Sequence, residues 1–358
     1  MKKIGIVTFH RAINYGGILQ CYSLQKKIKD MKNDAEVIDY ISDDVYKIYK
    51  PFYVSKFNII KTPLKWLLDT IFYKQNKRVK SKFEKFLIEN ISLSKNINDK
   101  QYLQRHCSNY DVIISGSDQV WNKKITLEDY DVYDLSLVNH KQKIAYAASI
   151  GNDEIEKDEK KYYNELIDKY KSISVREKSL EKIFNKKITT VLDPVFLSKK
   201  EEWERLIDIK KGINEKYIFV FSLQRNKQID SIINKLSKSS KIYYYSKLPV
   251  CKKNVKRVFD LSPNEFLEMI YNAEMVITNS FHCLAFSIIF NKKNIAVLHS
   301  DKSSRQTDLL ELLGMNDRIY SGNNLDKLIK TKTNYEIVNE KIENLRNESL
   351  CFLEESIN

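Results

Sequence analysis

The chain has 358 residues, a formal net charge of +14, and hydrophobic and aromatic fractions of 42% and 11%. That length suggests two domains, and the apolar content supplies packed cores and excludes a globally disordered chain. Cys21, Cys107, Cys251, Cys283 and Cys351 are odd in number, widely spaced and without a CxxC pair, which argues against a disulfide framework or zinc site and fits a reducing compartment.

The lysines are dispersed along the whole sequence, so the positive charge reads as a solvated surface rather than a nucleic-acid patch. It would still draw in small anions. The start, Met1 to Phe9, has too short an apolar run for a signal peptide and reads as a first β-strand. No stretch approaches the ~20 apolar residues of a membrane span. Lys-rich amphipathic segments around 46–90 leave peripheral contact with a membrane open. The expected location is cytoplasmic, with that contact at the inner face.

Short β-branched runs, each followed by a polar turn and a helical pattern, set up a βαβ rhythm. Strands are expected near 3–9, 35–39, 111–115, 143–149, 172–175 and 189–192. The first helix starts around Gly17, and residues 45–105 read as a helical, charged and aromatic insertion. A second series places strands near 216–222, 241–246, 256–259, 274–278 and 294–298, with helices near 227–238, 263–272 and 282–291. An amphipathic helix over 336–356 carries Ile337, Val338, Ile342, Leu345, Leu350 and Leu353. The expected architecture is α/β, with Rossmann-like domains over 1–200 and 201–335 facing across a cleft in the GT-B manner, then the helix over 336–358.

Five turns after strands could carry chemistry, because ligands bind at the carboxyl edge of an open α/β sheet. In the first, Asn14, Gly16 and Gly17 precede a helix, and adjacent glycines allow a backbone to approach a phosphate. The plain alternative is a flexible turn. In the second, Ser117 and Asp118 follow an apolar strand, and Asp118 could orient or deprotonate a hydroxyl or simply form an Asx turn. Trp121 could stack on a sugar or sit in the core. In the third, Arg176 ends a strand and suits a carboxylate or phosphate fork. A local pair with Glu177 is less attractive, because sequence neighbours seldom pair well. In the fourth, Asn279, Ser280 and His282 join a buried strand to a helix, where an imidazole beside a helix N-terminus suits acid–base work next to an anion, although a lone histidine is more often structural. In the fifth, residues 299–305 offer hydroxyls and Arg305, or else a solvated loop. No metal site stands out.

Taken in order, Asn14-Tyr15-Gly16-Gly17, Gly116-Ser117-Asp118-Gln119-Val120-Trp121, Ala145-Tyr146-Ala147-Ala148-Ser149-Ile150-Gly151, Ser174-Val175-Arg176-Glu177, Leu192-Asp193-Pro194-Val195, Thr278-Asn279-Ser280-Phe281-His282 and Ser304-Arg305 resemble the polysaccharide pyruvyl transferase family. The resemblance implies a GT-B-like fold and transfer of pyruvyl from phosphoenolpyruvate to a sugar or lipid-linked oligosaccharide, the product being a cyclic ketal. By that analogy His282 is the general acid or base and Arg176 binds the donor, with no further cofactor. Many members carry an arginine where this chain has Ser280, and Arg305 is the expected replacement. The acceptor side falls to the first domain and the donor side to the second. Three rival readings remain at this level: a nucleotide-sugar glycosyltransferase, a non-catalytic glycan-binding protein of the same fold, and a nucleic-acid binder suggested by charge alone.

Overall fold

The computed structural model describes residues 1–41, 73–140, 142–151, 155–186, 188–208, 215–222, 226–246, 250–298 and 304–358. Two compact units organise the chain: Met1–Leu197 with Ser349–Asn358, and Ser198–Glu348.

In the first unit β1 (Lys3–Val7), β2 (Asp34–Val37), β3 (Val112–Ser115), β4 (Lys143–Ala148), β5 (Ser172–Val175) and β6 (Thr189–Thr190) form one sheet in the order β2-β1-β3-β4-β5-β6. Every pair is parallel. β3 and β4 are buried throughout, which explains why these runs show no polar alternation. The helix Tyr15–Asp30 packs Ile18, Leu19, Leu24 and Ile28 inward, and Lys27 and Lys29 in its last turn complement the negative end of its dipole. The chain moves from β1 to β2 on one side and to β3 on the other. The turns after β1 and β3 therefore sit at a topological switch point, the usual ligand position of such sheets.

The insertion is helical at Tyr73–Asn90 and Lys100–Cys107. Between these helices the chain is extended and bridges the β2 segment at Val37↔Leu93 and Tyr40↔Ile97, so this stretch is a sheet margin rather than helix. The part of the insertion over 42–72, with most of its lysine-rich stretch, lies outside the described residues.

The second unit has β7 (Ile218–Phe221), β8 (Ile242–Tyr245), β9 (Val255–Val258), β10 (Met275–Thr278) and β11 (Lys293–Ala296) in the order β11-β10-β7-β8-β9, again all parallel. Val220, Ile229, Ile233, Ile242, Ile277 and Ile295 build its core on one side. Trp203 meets Phe286 edge-on at 4.9 Å. Ser262 and Glu265 cap each other's backbone at the start of the helix Pro263–Tyr271, the capping box that the Ser-Pro-x-Glu spacing encodes. Here the order reverses between β7 and β10, placing the turn after β10 at this unit's switch point.

The C-terminal helix runs over Tyr335–Ile357 and buries Val338, Ile342, Leu353 and Ile357, while Ile337 is exposed. Its end belongs with the first unit: Ser349 Oγ accepts from Leu192 N at 3.0 Å, and Lys2 Nζ donates to the Ile357 carbonyl at 2.6 Å. Among the described residues, no helix is long and apolar enough to cross a membrane.

Candidate active site

In the first unit the polar centre is built around Arg176, one residue past β5. Its Nη1 donates to Asp193 Oδ2 at 2.7 Å, and its Nε donates to Glu177 Oε1 at 3.0 Å. Asp118 Oδ1 lies 3.9 Å from Nη1. All four side chains are buried. Burial alone would lower the guanidinium's affinity for its proton, but the charges of Glu177, Asp193 and Asp118 outweigh it and hold Arg176 above the ordinary range. The pair with Glu177, discounted from sequence, therefore forms. The Nε edge reaches back to the neighbouring residue while Nη1 reaches forward to a carboxylate 17 positions on.

Asp193 also accepts from Ser117 Oγ at 3.2 Å, and its second oxygen caps its own turn through Val195 N at 3.1 Å. One carboxylate thus ties the Ser117–Asp118 turn to the guanidinium. Asp118 adopts φ +71°, a left-handed conformation uncommon outside glycine, and its backbone bridges Ala148. It is 4% exposed. Among the described residues the approach of Arg176 is its one side-chain polar contact.

The other candidates of this unit take structural places. Asn14 Oδ1 accepts from Gly16 N and Gly17 N at 3.0 and 3.3 Å, so the amides expected to cradle a phosphate are already capped. Gly17 is required for packing: a Cβ there would lie 3.1 Å from the Phe9 carbonyl oxygen. Trp121 is 1% exposed and lies against Tyr163, Tyr170 and Phe184. It is a core residue with no face for a sugar, because the turn that begins at Gly116 folds back under the sheet edge through Trp121 N→Ser149 O at 3.2 Å. Ser117 is likewise buried, its hydroxyl committed to Asp193.

In the second unit β10 is buried end to end, and the helix Phe281–Ile289 that follows it is buried at all nine positions. The turn between them is therefore rigidly held. Ser280 is the N-cap residue but its side chain makes no capping bond; its backbone N donates to Thr278 Oγ1 at 2.9 Å, and Thr278 Oγ1 donates to the Phe221 carbonyl at 2.8 Å. His282 occupies the second helical position, 7% exposed, with its ring perpendicular to Phe281 at 5.1 Å. Asn279 Oδ1 is buried without a hydrogen-bond partner. Burial raises the Cys283 thiol far above its usual range, so this neighbour supplies no thiolate.

Arg305 stands in the first turn of the helix Ser304–Leu313, which follows β11. β10 and β11 are parallel neighbours, with Thr278 opposite Ala296. The helices that follow these two adjacent strands in sequence are Phe281–Ile289 and Ser304–Leu313. Residues 299–303 of the fifth turn lie outside the described residues. In the sequence Asp193 stands out only as part of the Leu192–Val195 motif, and Gln306, the residue after Arg305, carries no signal of a role. Among the described residues no group of three or more His, Cys, Asp or Glu is placed to hold a metal ion.

Solved structures share this fold. UDP-N-acetylglucosamine 2-epimerase from Rickettsia bellii aligns with a TM-score of 0.54 at 9% identity, covering 100% of this chain and 97% of that one. The S. aureus MnaA–UDP co-structure aligns at 0.52 with 11% identity, covering 96% and 88%. Such likeness establishes a GT-B-like fold and no more. No curated protein matches the sequence. The polysaccharide pyruvyl transferase family model matches residues 14–301, a span that takes in Asn14, the Asp118 turn, Arg176, Asp193 and the His282 turn alike. With most of its length and both polar centres inside that match, the chain belongs to the polysaccharide pyruvyl transferase family.

Proposed function

We propose that this protein transfers the pyruvyl group of phosphoenolpyruvate to two hydroxyls of a sugar in a cell-surface polysaccharide or its precursor. The observation that carries the reading is His282 at the second position of a helix start without a side-chain cap, at the switch point of the second unit, in a chain of this family. The anion is assigned to this unit, where two helix starts, His282 and Arg305 supply positive ends and donors. The first unit suits the acceptor. Asp118 and Glu177 have no cation other than Arg176 among the described residues, so an anionic donor would meet excess negative charge there. Arg176 is then a holder of the Asp118 turn rather than a donor clamp.

In the reaction His282 delivers a proton to the methylene carbon of the enol phosphate, leaving an oxocarbenium-like carbon. A sugar hydroxyl attacks that carbon and gives up its proton. The second hydroxyl then displaces phosphate. Of the two hydroxyl protons, one balances the proton gained by the methyl group and the other departs with phosphate. One ketal and one inorganic phosphate form, with no oxidant required.

Purified protein should release phosphate only when phosphoenolpyruvate and an acceptor sugar are both present. His282→Ala should lower that rate by ~10²–10⁴-fold with unchanged circular dichroism. Wild-type turnover by the variant removes His282 from the chemistry. Thermal stabilisation by a UDP-sugar with none by phosphoenolpyruvate would favour a glycosyltransferase.

A further inference from the structure

Gln306 is the third residue of the helix Ser304–Leu313, 3% exposed, and its Nε2 is buried without a hydrogen-bond partner. A buried amide with an unmade bond is destabilising, so natural cores rarely keep one without reason. In a helix the Cα–Cβ bond leans toward the N-terminus. At the third position this carries the carboxamide toward the end where the helix's own first amides lack intrahelical partners. This helix is the next element after β11, the strand paired in parallel with β10, which leads into the His282 turn.

We infer that Gln306 is an anion-binding residue, its Nε2 donating to an oxygen of the phosphate or carboxylate group of the co-substrate. The inference rests on the assignment of the anionic donor to the second unit. An amide suits this place because it donates to an anion while adding no charge, beside the dipole ends and the guanidinium of Arg305.

The test exploits the unmade bond. Gln306→Met keeps the volume and removes the orphan donor. In the ligand-free protein its melting temperature should equal or exceed that of wild type. Its affinity for inorganic phosphate and for phosphoenolpyruvate, read by titration calorimetry, should fall about ten- to hundredfold, as for a lost bond to a charged group. Gln306→Glu, which sets a carboxylate against the anion, should abolish both. A Met variant that melts lower and binds both anions like wild type would overturn the inference, as would a wild type that binds neither. Phosphate affinity that depends on Gln306 in a protein that never turns over phosphoenolpyruvate would leave the inference standing and defeat the proposed reaction instead.

Discussion

Arg176 shows how much of a residue's setting the fold decides. A guanidinium at a strand end is legible in sequence, and so is its preference for carboxylates. Which carboxylates is a matter of fold: Asp193 comes within 2.7 Å only because β5 and β6 are parallel neighbours that end together. The adjacent Glu177 pairs because the guanidinium presents two edges. Removing the cation strands three buried carboxylates. Arg176→Leu should therefore cost about 3–5 kcal/mol of stability, measured by urea unfolding. A variant as stable as wild type but with weakened donor binding would restore the donor-clamp role. His282 was easier to read, because a buried apolar run, a short polar turn and a second apolar run leave an imidazole one place to be. Gln306 was invisible from sequence, since a glutamine inside a helical pattern reads as an exposed face, and only its burial reveals the unmade bond.

Among the elements, continuous apolar strands were the most legible and capped turns the least. β10 and its helix stand where the apolar runs place them. The Asn14–Gly17 turn has the composition of a phosphate loop, yet composition does not say whether the amides face outward or, as here, meet the Asn14 side chain. The neighbouring His10–Asp39 corner is also hidden in sequence, because its partners come from the segments that follow two different strands. Asp39 Oδ1 accepts from His10 Nε2 at 2.9 Å and from Arg11 Nε at 2.5 Å; Oδ2 accepts from Arg11 Nη2 at 2.6 Å. Burial by itself would raise the Asp39 carboxyl, but the hydrogen bonds and charges of Arg11 and His10 outweigh it and hold the group below the usual carboxylate range. A lowered folded-state value stabilises the protein above the unfolded value of ~3.9 and stops doing so as pH falls through the folded one. Wild type should accordingly lose more unfolding free energy than Asp39→Asn between about pH 7 and about pH 3. Equal losses in urea melts at the two pH values would show that the corner contributes nothing to acid stability.

For the whole molecule, the alternation of strand and helix fixed the class, and the ordered motifs pointed to the family that the residue 14–301 match establishes. Strand order was not legible, because periodicity shows that a strand is buried and not which strand lies beside it. Yet the order places the turns that carry Asp118 and His282 at the reversals between β1 and β3 and between β7 and β10. The central claim is that a proton reaches the methylene carbon of phosphoenolpyruvate as the sugar is captured. Turnover in deuterium oxide tests it most directly, read by mass spectrometry and proton NMR of the product. The account expects a sugar ketal whose methyl group carries one deuterium, formed with one equivalent of phosphate. A product with an unlabelled methyl group, or a glycoside formed from a nucleotide sugar with no pyruvyl group attached, would contradict it.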